Sequence, residues 1–280
     1  MSAPLDPEAQ GYDSLYEEFD SPLMRRVRLE SYGEDIGQHS WVIAEELRKD
    51  IPRLALSASS RFLDLGCGPC GPLTFILGSV RCLGTGTDVS ASALAAGLRR
   101  AASLGLQSWL TLREADLNEA LPFAPGSFDS AMSLDVVLHL RDRARLFEEV
   151  ARTLVAGGRF LFTDAGVITG PVSDQEVLRR SIHGHTQFVA PGFNERLLDA
   201  VGFRLLETED RTASVVKNAA GRLDARLAHR SELERLEGRS VFERRQLYLE
   251  TVVDVAQRGA MSRVMYLVES SPAGGDARTS

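Results

Sequence analysis

Residues 61–72 read RFLDLGCGPCGP. A short apolar run, RFLDL, passes into a loop containing Gly66, Gly68 and Gly71, and a helical stretch follows. Glycine adopts backbone angles that other residues avoid, and it lets a ligand approach the main chain closely. A strand that ends in glycines and feeds a helix is the opening unit of a parallel α/β sheet, and the free N–H groups of such a helix face whatever binds there.

The same texture repeats along the chain. RCLGTGTDV (81–89), SWLTLREAD (108–116), SFDSAMSLDVV (127–137) and GGRFLFTDA (157–165) read as further strands. ALAAGLRRAASLG (93–105) and RARLFEEVARTL (143–154) read as helices between them. In the second helix Leu146, Phe147, Val150 and Leu154 share one face, and Gly157-Gly158 is the expected stop. NERLLDAVGFRLLETED (194–210) reads as helix, turn and strand, and MSRVMYLVES (261–270) as a last strand. The expected fold is a doubly wound α/β sheet of seven strands, mostly parallel, with the last antiparallel.

Three segments exceed this alternation: the first 50 residues, residues 166–192 and the charged helical stretch 214–260. They are expected to form a helical cap. Ser21-Pro22 fits a helix start, and capping boxes are expected at Ser173/Glu176, Ser231/Glu234 and Ser240/Glu243. The division expected from this is an N-terminal helical lid (1–54), an α/β core that binds the cofactor (55–212), a helical insertion (213–260) and a last core strand (261–270).

The chain has 280 residues, 44% hydrophobic and 25% charged, which suits a globular domain with a sizeable core. A formal net charge of −7 and scattered basic residues speak against a nucleic-acid partner. No run approaches the ~18 apolar residues of a membrane span. Nothing at the N-terminus resembles a leader, and Cys67, Cys70 and Cys82 form no disulfide framework. A cytoplasmic monomer or homodimer acting on a small molecule is expected.

In an open parallel sheet, ligands bind beyond the carboxyl ends of the strands. Three acids stand at three successive strand ends: Asp64, Asp88 and Asp116. Asp64, beside the glycines, would repel a pyrophosphate and attract an ammonium. Asp88 can accept both hydroxyls of a ribose, and Asp116 an exocyclic adenine amine. The ligand these acids describe has an ammonium, a ribose and an adenine, and no phosphates.

The motif set FLDLGCGPCG, TGTDVS, EADLNEALPFAPGSFDSAMSLDVVLHL and LVAGGRFLFTDA resembles that of the class I S-adenosylmethionine-dependent methyltransferases over roughly residues 55–212. The resemblance implies a Rossmann-like fold with S-adenosyl-L-methionine as methyl donor. It implies cofactor binding by Asp64, Gly66, Cys67, Gly68, Asp88, Val89, Asp116, Leu117 and Leu134, with Tyr32 and Gln38 of the lid. SLDVVLHLRDRARLF (133–147) and YGEDIGQHSW (32–41) are similar to segments of phosphoethanolamine N-methyltransferases. That likeness implies catalytic roles for Asp135 and His139, with Tyr16 or Tyr12 in place of that group's lid tyrosine. Its phosphate-binding Arg and Tyr are replaced by Ile182-His183-Gly184-His185, so the scaffold carries over and the phosphobase substrate does not. His183, His185 and Trp41 are the candidate substrate contacts, and Ile168, Ile182, Phe188 and Phe193 an apolar entrance. The resemblance points to nitrogen or oxygen ahead of carbon as the methylated atom. Alternatives are an NAD-dependent oxidoreductase, which the glycine spacing also allows, and an inactive binding subunit of the same fold. No metal site is expected. The glycines and aromatics of residues 11–41 suggest a gate that orders over the cofactor.

Overall fold

The computed structural model describes residue 16, residues 18–181 and residues 184–271. Tyr12, Ile182 and His183 lie outside the described residues. The core elements, in order, are β1 (Arg61–Leu65), α3 (Gly71–Val80), β2 (Leu83–Asp88), α4 (Ala91–Ser103), β3 (Leu110–Glu114), β4 (Phe128–Leu134), α5 (Arg143–Thr153) and β5 (Leu154–Ile168). Then come α6 (Asp174–Arg180), α7 (Phe193–Ala200), β6 (Phe203–Asp210), α8 (Thr212–Ala228), α9 (Arg230–Glu237), α10 (Arg239–Gln257) and β7 (Met261–Ser270). Two helices precede β1: α1 (Pro22–Tyr32) and α2 (Ala44–Arg53).

The seven strands lie in the order β3-β2-β1-β4-β5-β7-β6. β7 runs antiparallel to both β5 and β6, and the pairs from β3 to β5 are parallel. Chain order reverses between β1 and β4, so a crevice opens at their carboxyl ends.

Side-chain alternation explains why the sheet is covered on both faces. Phe62, Leu161, Met265 and Leu267 point into a core with Leu73, Ile76 and Leu77 of α3. Their neighbours Leu63, Phe160, Phe162 and Tyr266 point to the other face, against Leu146, Phe147 and Val150 of α5. Each such fully buried aromatic or aliphatic side chain contributes about 1.5–3 kcal/mol.

Ser21 starts α1, its hydroxyl accepting from the Met24 N–H at 3.3 Å, and Gly33 ends it at φ 76°. The Ser173/Glu176 capping box forms. The other two do not: α9 begins at Arg230 and α10 at Arg239, without side-chain caps. Ser231 and Ser240 therefore sit inside the first turns. α5 ends at Thr153, and Gly157-Gly158 lies inside β5, not at a helix end. The chain passes directly from helix to strand at Leu154.

The added helices gather above the carboxyl ends of the strands. Trp41 packs with Ala165 of β5, Val215 and Ala219 of α8, and Tyr248, Leu249 and Val252 of α10. Among the described residues, no helix is long and apolar enough to cross a membrane.

Candidate active site

A cavity of about 210 Å³ opens at the β1/β4 crevice. Its walls include Asp64, Gly66, Cys67 and Gly68 at the end of β1 and just beyond it, Asp88 and Val89 at the end of β2, and Asp116 and Leu117 after β3. Leu134, Asp135 and His139 after β4 close the far side, and Tyr16 and His39 cover it. Twelve of the residues expected from sequence thus meet in one cleft.

Gly66 holds φ 71°, and a Cβ there would lie 2.5 Å from Val136 Cγ2, so both conformation and space demand glycine. The Asp88 carboxylate accepts from the Gly68 N–H at 2.8 Å and the Ser90 N–H at 2.9 Å, which fixes the glycine loop to β2. Beyond β3, Asp116 accepts from the Asn118 N–H at 2.8 Å and side-chain amide at 2.9 Å. The ring of Tyr16 stacks edge-on to His39, and its hydroxyl lies 3.2 Å from where a Gly68 Cβ would stand.

Asp64 is 3% exposed, and its carboxylate makes no hydrogen bond to a described residue. Burial, then the charge of Asp88, pushes its pKa up to about 8. A buried carboxyl without a partner is costly, and a cation arriving in the cleft would supply one. This orphaned acid fits the ammonium of S-adenosylmethionine.

Asp135 has the opposite surroundings. It occupies the left-handed region at φ 60°, a conformation that costs a non-glycine residue about 1–3 kcal/mol unless its neighbours hold it. Oδ1 accepts from the Thr163 hydroxyl at 2.8 Å and from Arg263 Nε at 2.8 Å, and Oδ2 from the Trp41 N–H at 2.9 Å. Arg263, fully buried, also donates to Glu46 at 2.8 Å. Burial pulls the Arg263 pKa down, and the charges of Asp135 and Glu46 outweigh that and hold it above its usual value. Sequence reading missed Arg263. The signal was a lone arginine inside the apolar last strand.

His139 sits in a short turn, Val137–His139. Its Nδ1 is 3.2 Å from the His185 carbonyl. A carbonyl only accepts, so Nδ1 carries the proton and Nε2 the lone pair. Burial lowers its pKa, against the raising effect of the His185 carbonyl bond. The His185 side chain itself is exposed.

The remaining lid residues stand behind this cleft. Tyr32 donates to the Ser40 carbonyl at 2.8 Å. Gln38 is fully buried, bonded to the Ile36 N–H at 2.9 Å and the Glu34 carbonyl at 3.0 Å. Both line a second, smaller cavity. The Trp41 ring stacks on Tyr248 inside the cap. With Trp41 N–H tied to Asp135, residues 32–41 are fastened, which is not the arrangement of an open gate. Ile168 and Phe188 pack beside Val255 and Met261.

Residues 63–162 match a family described as a methyltransferase domain. The chain is similar to methyltransferase GfsG of Streptomyces halstedii, 33% identical over 122 residues, which is 44% of this chain and 43% of that protein. It is also similar to dimethylglycine N-methyltransferase of Parasynechococcus marenigrum, 34% identical over 163 residues, 56% of each. The chain thus spans about half the length of these curated relatives. Among solved structures, phosphoethanolamine N-methyltransferase 2 of Haemonchus contortus in complex with S-adenosyl-L-methionine superposes with a TM-score of 0.73 at 19% identity, covering 92% of this chain and 60% of that one. That likeness is one of fold. With the sheet order and a cleft lined by the expected acids and glycines, the match marks residues 63–162 as similar to a methyltransferase domain.

Proposed function

We propose that the chain transfers the methyl group of S-adenosyl-L-methionine to a small-molecule acceptor, at nitrogen or oxygen ahead of carbon. The observation that carries this reading is the orphaned Asp64 carboxylate beside the glycine loop, at the switch point of the sheet. Asp64 would take the ammonium of the cofactor, Asp88 the ribose hydroxyls, and Asp116 with Leu117 the adenine. Gly66, Cys67, Gly68, Val89 and Leu134 would form the walls, and Tyr32 and Gln38 would act from behind by shaping the lid.

When bound, the sulfonium supplies an electrophilic methyl whose positive charge disperses as it leaves. The protein's share is therefore mostly positioning and exclusion of water. His139, neutral because burial depresses its pKa, would accept the acceptor's proton at Nε2 or anchor the acceptor. Asp135 would hold β4, the lid and β7 in register around it, and Tyr16 would cover the glycine loop. Trp41, His185 and His183 are the weaker acceptor contacts in this reading. The names of several relatives, dimethylglycine and phosphoethanolamine N-methyltransferases among them, support an amine. We further place the protein in the cytoplasm as a monomer or homodimer with no nucleic-acid partner.

Calorimetric titration with S-adenosylmethionine, S-adenosylhomocysteine and NAD tests the reading. Binding of the first two and not the third is expected. Binding of NAD alone would overturn it.

A further inference from the structure

The second cavity, about 70 Å³, lies in the cap between α1, α8 and α10, and His39 lines both it and the large cleft. Its volume holds a few waters or one small group. Four arginines line it: Arg28, Arg222, Arg226 and Arg245. Arg28 is paired with Asp35 at 2.9 Å. Arg226 donates to Gln246 at 2.9 Å and shares Glu237 with Arg245. Arg222 is different. It makes no hydrogen bond or ion pair with a described residue, and its guanidinium lies over the Trp41 ring, 5.2 Å from the centroid. Two carboxylates thus face four guanidiniums, and the unpaired one sits on a flat aromatic shelf.

A half-buried cation without an anion is a cost that a ligand can relieve. A guanidinium fork matches the planar oxygens of a carboxylate or the face of a phosphate, and the aromatic shelf leaves its edge N–H groups to donate. We propose that this cap cavity is an oxyanion subsite, in which Arg222 receives a carboxylate or phosphate at the distal end of the acceptor while the reactive atom reaches past His39 to the cleft. Burial lowers the pKa of the neighbouring Arg226 against the raising effect of Glu237, and the charges of Arg245 and Arg222 lower it a little further. An entering anion would relieve the crowding. This inference rests on the large cleft being the methyl-transfer site, and it would make the chain selective for zwitterionic or anionic acceptors.

The test uses protein loaded with S-adenosylhomocysteine. Dimethylglycine, phosphoethanolamine and the anion-free amine dimethylaminoethanol are titrated in turn, and the first two distinguish carboxylate from phosphate. One or both oxyanion-bearing probes should bind about 10-fold or more tightly than dimethylaminoethanol. Arg222→Gln should abolish that preference, Arg222→Lys should restore part of it, and affinity for S-adenosylhomocysteine should be equal in all three proteins. A size-independent arm follows melting of the loaded protein in acetate or inorganic phosphate at constant ionic strength. The wild type should be stabilised and Arg222→Gln should not. Absence of any anion effect on the wild type, or an effect that Arg222→Gln retains, overturns the inference while leaving the cleft intact. Equal weakening of S-adenosylhomocysteine in Arg222→Gln would assign Arg222 to the cofactor's own carboxylate and also overturn it. Failure of the wild type to bind S-adenosylhomocysteine strikes the reading of the cleft, and the inference falls with it.

Discussion

Two aspartates end neighbouring strands and face one cleft, yet their surroundings are opposite. Asp64, near the end of β1, is buried without a hydrogen bond to a described residue and is pushed up to about pKa 8. Asp135, after β4, accepts from Thr163, Trp41 and a fully buried arginine that also binds Glu46. In the proposed reading the first is a carboxyl whose partner comes from outside. The second has its partners built in, and through them it joins β4, β5, β7, the lid and α2. Similar positions in the sheet thus have opposite surroundings, and the hydrogen bonds tell them apart where the sequence does not.

Breaking the assembled site should show the largest effect. Arg263→Met would leave Asp135 buried without its cation and Glu46 with only Arg211, 3.8 Å away. A loss of about 3–5 kcal/mol in unfolding free energy is expected, measured by denaturant melts. Asp64→Asn, by contrast, should raise the stability of the free protein at pH 7, because unfolded wild type sheds a proton there that the folded protein keeps, and Asn carries no such loss. Similar losses for both variants would erase the distinction.

On ligand binding the order reverses. Asp64→Asn should weaken S-adenosylhomocysteine by about 1.5–3 kcal/mol, and Asp88→Ala by about 1–3 kcal/mol, since each removes a charged acceptor from a buried ligand group. Gly66→Val should fail more severely, because its side chain meets Val136 in a backbone conformation that valine avoids. Calorimetry reads all three.

The pH dependence sharpens the contrast further. The folded pKa of Asp64, about 8, stands above the ordinary carboxylate value near 4, so the native state binds the extra proton between those limits. The free protein should therefore lose stability from this group as pH rises from about 4 through about 8. Saturation with cofactor should flatten that loss. His139 has a depressed pKa, so its base form persists through neutrality. The acid limb of kcat/KM should lie below about pH 6.5, the ordinary histidine value, and His139→Ala should remove it with reduced turnover. An unchanged profile and rate would remove His139 from the reaction.

Legibility in the sequence followed the range of the interactions. The strands and the loops that line the cleft could be read because each rests on a local pattern: apolar alternation, a glycine run and an acid at a strand end. The Ser173/Glu176 box was readable for the same reason. The failures lie where packing overrides a local signal. Ser231 and Ser240 carry capping patterns, yet α9 and α10 each start two residues earlier than those patterns place them, capped at His229 and Gly238. Gly157-Gly158 reads as a helix stop but lies in the long strand β5. The partners of Asp135 come from 94 residues before it and 128 after it in the chain, a separation that no spacing rule spans. Arg222 was equally invisible, one arginine among many in a charged helix until the cap closes around it.

In the proposed reading Asp64 waits for a cation in a cofactor cleft. Calorimetry of S-adenosylhomocysteine binding at pH 7, repeated in buffers of different ionisation enthalpy, tests this most directly. The ammonium should drive the proton off Asp64, so binding to the wild type should release close to ~1 proton. Binding to Asp64→Asn should be weaker and release almost none. Tight binding with no proton release by the wild type, or the same release by the variant, would contradict the account.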